Sequence, residues 1–112
     1  MSSQRPRYTY NLPNADEVGV KTITLVELKA DEELLATKRA RSDPFRLAYE
    51  LAKTCLVALD GKAIDVTDGS REIAWDSMHP KVRAFVVQAY TSLHQPKEEE
   101  VSDFLLSRQV ET

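Results

Sequence analysis

One cysteine, three glycines and two histidines in 112 residues leave this chain short of the usual means of catalysis and ligation. A lone Cys55 closes no internal disulfide, which points to a reducing, cytoplasmic setting. With so few glycines there is no obvious place for a loop that cradles phosphate, and no G-x-S-x-G turn occurs. His79 and His94 have neither the i, i+4 spacing nor the cysteine partners of a zinc site, so cap or surface roles suffice for both. No apolar run approaches the roughly 20 residues of a membrane span, and the first residues lack the apolar centre of a secretory signal. A formal charge of −3 argues against a surface built for nucleic acid, whose affinity comes largely from clustered Lys and Arg. Enzyme is therefore the least expected class, and no catalytic, cofactor or metal residue is assigned.

What is present is a pattern of helices. The longest stripe, Val82, Phe85, Val86, Ala89, Tyr90 and Leu93, repeats at helical spacing between Pro80 and Pro96. Pro80 suits a first helical turn, and Pro96 stops the run. Asp43 before Pro44 is a second start signal, opening PFRLAYELAKTCLVAL, which is apolar around most of its circumference. Arg46, Glu50 and Lys53 form its narrow polar edge, and Cys55 falls within the apolar stripe, as a small buried hydrophobe would. A further helix is expected over roughly Ala30 to Arg41, where Asp31, Glu32 and Glu33 come first and Lys38, Arg39 and Arg41 last, the order a helix macrodipole favours. The final helix, from about Lys97 to Arg108, begins acidic and carries Val101, Phe104 and Leu105 on one face.

Extended segments are fewer. Residues 1–17 read as an extended or flexible arm, with a single domain over 18–112. Val18 to Leu28 suits a strand, although Thr24 and Glu27 also fit a capping box with a helix from Leu25. Asp60-Gly61 breaks the long helix as a C-cap or a turn; if Leu56 to Leu59 were extended, that helix would end near Thr54. Lys62 to Val66 and Arg71 to Trp75 read as a short hairpin. The carboxylates Asp60, Asp65, Asp68, Glu72 and Asp76 do not follow a calcium-loop spacing and read as solvated turns and strand edges. The expected fold class is mainly α: about four helices, an extended N-terminal segment and a short β-hairpin.

Three segments, ITLVELKADEELLATKRAR, DPFRLAYELAKTCLVALDGKAI and WDSMHPKVRAFVVQAYTSLHQPKEEEVSDFLLSR, carry a resemblance across about residues 22–108. In this order the chain resembles the small tail assembly chaperones of tailed bacteriophages. That resemblance implies a mostly helical protein of the host cytoplasm that binds the tape measure protein and recruits tail tube protein, without entering the virion. The residues supply candidate partner-binding positions: Val101, Phe104 and Leu105 on the last helix, with Trp75 and Met78 as a possible aromatic anchor that competes with a core role. Association of identical copies is left open. Two other readings stand beside this one: a structural subunit of a phage tail, neck or baseplate, present in the virion, and a small DNA-binding regulator using Arg39, Arg41, Lys81 and Arg83.

Overall fold

Asp60 and Gly61 both take positive φ, 50° and 77°, as a two-residue type I′ hairpin turn requires. That turn sets the architecture. A computed structural model describes residues 5–64 and 69–108. They form β1 (Arg7–Asn11), α1 (Ala15–Val18), β2 (Thr22–Val26), α2 (Ala30–Ala40), α3 (Pro44–Cys55), β3 (Leu56–Leu59), β4 (Lys62–Ala63), α4 (Ser70–Ser77), α5 (Pro80–His94) and α6 (Glu98–Leu106). The strands make one antiparallel sheet in the order β1-β2-β3-β4. This is an α/β domain, which corrects the mainly α expectation.

The correction comes from three places. Within the expected arm, Arg7–Asn11 is extended and pairs along its whole length with β2, Tyr8 opposite Leu25 and Tyr10 opposite Ile23. Leu56–Leu59 leaves helix and becomes β3, so the long apolar helix ends at Cys55. Four consecutive apolar residues have no period of their own, and here pairing with β2 overrides the helical continuation. The hairpin therefore lies one turn upstream of the expected one, joining β3 to β4 through Asp60-Gly61. Arg71–Trp75, read as a strand, lies inside α4. Val66, Thr67 and Asp68, its expected partner and turn, fall outside the described residues.

Helix starts follow local chemistry. The Asp43 carboxylate Oδ1 accepts from the backbone N–H groups of Phe45 and Arg46 at 3.0 and 3.3 Å, with Pro44 at the first helical position. His79 caps α5 in the same way, Nδ1 accepting from the Lys81 N–H at 3.1 Å. The Thr24–Glu27 alternative is not taken. Thr24 sits in β2, and its hydroxyl meets that of Thr9 across the strand pair at 3.0 Å.

Packing places α3 against α2, α5 and α4, with α5 also lying on β2. The core is centred on Ile23 and Leu25 of β2, Cys55 and Leu56 at the α3–β3 junction, and Val82 and Val86 of α5. Phe85 of the α5 stripe is only half-buried at the margin of that core. Because Leu25 is fully enclosed, Leu25→Ala is expected to lower stability by about 2–5 kcal/mol through the cavity it leaves. Leu106→Ala, at an exposed position, is expected to change it by less than about 0.5 kcal/mol. Urea unfolding of the two variants measures the difference; equal losses would contradict the assigned core.

Candidate functional site

Two surfaces stand out against this frame, one apolar and one cationic. The apolar one is α6. None of its residues is buried; Val101 and Leu105 are exposed, Phe104 is 74 % exposed and Leu106 81 %. Its first turn carries Glu98, Glu99 and Glu100, which the positive end of the helix dipole stabilises. At about 100° per residue, Val101, Phe104 and Leu105 share one face, Glu99 and Asp103 share the opposite one with Leu106 beside them, and Glu100 flanks Phe104. The helix is thus amphipathic without a covering layer. Trp75 and Met78, the other candidate anchors, are placed in the core. Trp75 meets the Tyr49 ring edge-on, with centroids 6.0 Å apart.

The cationic surface is an open groove between α2, α3 and α4. Lys38, Arg39 and Arg41 reach it from the end of α2, and Arg46 and Lys53 from α3. Glu50 and Glu72 line it as well. Glu50 is buried, with one carboxylate oxygen 2.9 Å from the Lys53 ammonium and the other, Oε2, without a hydrogen-bond partner among the described residues. Burial also lowers the Arg71 pKa, and its Nε is likewise unpartnered there. The sequence marked Arg46, Glu50 and Lys53 as a polar edge of α3. What it did not reveal is that the end of α2 returns beside that edge and turns it into a groove. The tight turn at Arg41 and Ser42, both at positive φ (51° and 67°), brings the two helices together.

Other marked residues are accounted for locally. Arg39 and Arg41 line the groove, and Arg83 lines its continuation past Trp75. Lys81 is elsewhere, 2.7 Å from Glu17 of α1, and that ammonium holds the Glu17 carboxyl below its ordinary pKa. Asp60 is turned onto the backbone: Oδ1 accepts from the N–H groups of Thr22 and Lys21 at 2.9 and 2.7 Å, and these bonds depress its pKa. Asp65 and Asp68 lie outside the described residues. Among the described residues no group of three His, Cys, Asp or Glu side chains is arranged to hold a metal. Nor is any described helix long and apolar enough to cross a membrane.

His94 was marked only for a cap or surface role, yet it ties two distant parts of the chain. Its Nε2 accepts from the Leu28 N–H at 2.9 Å, and Nδ1 lies 2.9 Å from the Tyr90 carbonyl, an arrangement that suits the tautomer with hydrogen on Nδ1. No sequence signal announced this contact, since its partner is a backbone group 66 residues away.

Comparison with protein-family models, curated proteins and solved structures finds no match.

Cys55 is fully enclosed, and its Sγ–H donates to the Val26 carbonyl at 2.7 Å. Burial pushes its pKa up to about 12. Since the thiolate is the nucleophile, an alkylating reagent at pH 8 should label the folded chain slowly and the urea-unfolded chain quickly. The same shift sets a sign for pH. A raised thiol pKa favours the neutral form in the folded state, so its contribution is complete below the ordinary thiol pKa and is lost as pH rises from about 9 towards 12. Rapid labelling of native Cys55 would show that the α3–β3 junction opens readily.

Proposed function

We propose that this chain is an assembly chaperone of the kind made by tailed bacteriophages, holding an aggregation-prone helical client, the tape measure protein, until tail tube protein is added. The supporting observation is α6, which offers Val101, Phe104 and Leu105 to solvent on one face. A nine-residue helix is too short to be stable alone in water, where isolated helices below about 12–15 residues are marginal. Its apolar face gains stability when a second helix covers it. An amphipathic client segment with apolar residues at i, i+3, i+4 and i+7 would do so, burying both stripes together. The resemblance of the segment order across residues 22–108 to tail assembly chaperones supplies the class of client. In this reading the sheet and the α3–α5 pair form the scaffold, and α6 is the working element.

The test is co-expression of the chain with the tape measure protein of the same phage, followed by co-purification. The expected result is a larger soluble yield of client with the chain bound to it. Phe104→Ala combined with Leu105→Ala should reduce the bound client at least about tenfold while leaving the far-ultraviolet circular dichroism and melting temperature unchanged, because both residues are exposed. Undiminished capture by the double variant would contradict α6 as the client surface. A client that stays insoluble with the wild-type chain would contradict the chaperone reading itself.

A further inference from the structure

The groove between α2, α3 and α4 holds a carboxylate oxygen that the folded chain leaves unanswered. The Glu50 side chain is 8 % exposed, and one of its oxygens is taken by the Lys53 ammonium at 2.9 Å. The other, Oε2, is shut off from water and meets no donor among the described residues. A buried acceptor in that state has given up its hydrogen bond to water and gained none in exchange. Glu50 nonetheless lines both halves of the groove. The terminal torsion of a glutamate is broad, so a small turn of the carboxylate brings Oε2 to a donor seated there. We propose that the groove binds a single strand of nucleic acid, with phosphates along its cations, one base beside Tyr49 and Trp75, and the exocyclic amino group of that base donating to Glu50 Oε2.

The groove suits a polyanion although the chain as a whole is acidic. Lys38, Arg39 and Arg41 stand at the α2 end, Arg46 and Lys53 along the α3 wall, and Arg83 at the far end past Trp75. The carboxylates that line it are Glu50, Glu72 and Asp76. The cations outnumber them even when Asp43, which caps the start of α3, is counted as well. The patch is thus opposite in sign to the net −3 of the chain, and contacts between such cations and phosphate supply affinity that is independent of sequence. Cations at both ends suit phosphates at successive positions, which a strand offers and a lone mononucleotide does not.

Aromatic side chains favour a single strand over a duplex. Tyr49 lines the groove and is exposed, and Phe45, one turn earlier on α3, is 82 % exposed. Unpaired bases stack on rings placed beside a cationic groove, whereas a duplex keeps its base faces covered. Glu50 adds a preference among bases. Cytosine presents an amino donor at N4 where thymine presents the O4 acceptor, so a carboxylate oxygen attracts the first and repels the second. Lys53 holds the other oxygen and so fixes the carboxylate in the groove wall. No residue of α6 lines the groove, so strand binding stands apart from client binding and is tested without a client.

Fluorescence anisotropy of the full chain with labelled single strands about 12 nucleotides long, one all deoxycytidine and one all thymidine, supplies the test. At about 50 mM salt the cytosine strand should bind at least about fivefold more tightly than the thymine strand. Both should weaken at least about tenfold at about 300 mM salt, through counterion release. Glu50→Gln should bring the two affinities within about twofold, chiefly by improving the thymine strand, because a carboxamide both donates and accepts. A strand of N4,N4-dimethylcytosine removes the donor without altering the protein and should lose the same preference. Arg39→Ala with Arg41→Ala, at two exposed positions, should weaken both strands at least about tenfold and leave the preference in place. Absence of binding, a wild-type chain that does not prefer cytosine, or a preference that survives the dimethylated strand would each overturn the proposal. Equally tight binding of the matching duplex or of polyglutamate of the same length would overturn it too, since the cations alone would then account for the affinity.

Discussion

Every residue of β2 from Ile23 to Val26 is shut off from water, and the strand is paired along both edges, so nearly everything else in the molecule is arranged to satisfy it. Buried backbone groups without partners are costly, which makes the two ends of such a strand as demanding as its middle. At its start, Asp60 of the β3–β4 turn accepts from Lys21 and Thr22. At its end, the Cys55 thiol donates to Val26, and His94 accepts from Leu28 just beyond. Three side chains from three separate segments thus close the ends of one strand. The helices α3 and α5 then supply the apolar layer that Ile23 and Leu25 require.

How much of this could be read from residues alone depends on whether the deciding interaction is local. Pro44, Pro80 and Pro96 act within a few residues of themselves, so the starts of α3 and α5 and the stop of α5 were legible. Residues Arg7 to Asn11 do alternate polar side chains with Tyr8 and Tyr10, the period of a strand, but the run is only five residues long and its partner strand begins 15 residues further on, so the pairing itself was not legible. Leu56 to Leu59 was readable as a continuation of the helix before it, because an unbroken apolar run fits either period. Only its long-range pairing decides. The apolar face of α6 was legible for the converse reason: amphipathic spacing belongs to the helix itself, whether or not anything covers it. The groove was not legible, since it exists only where the end of α2 meets α3.

Division of labour follows from these placements. The sheet and the α3–α5 pair hold the fold, while α6 contributes no buried side chain to it. A helix that adds nothing to the core and still carries an ordered pattern of carboxylates and large apolar residues is suited to partners. Its apolar face, Val101, Phe104 and Leu105, is the one on which the proposed client would dock. In that proposal ordering of a marginal helix is coupled to binding, which lowers affinity but allows release.

Amide hydrogen exchange of the dilute chain, at a few micromolar and without client, addresses this division most directly. Amides of β2 and α5 should exchange slowest, near the rate set by global unfolding, and those of Val101 to Leu106 should exchange orders of magnitude faster, through local opening that leaves the rest folded. Protection of α6 equal to that of α5 under those conditions would mean that α6 belongs to the cooperative core, and the reading of it as a helix held for partners would be wrong.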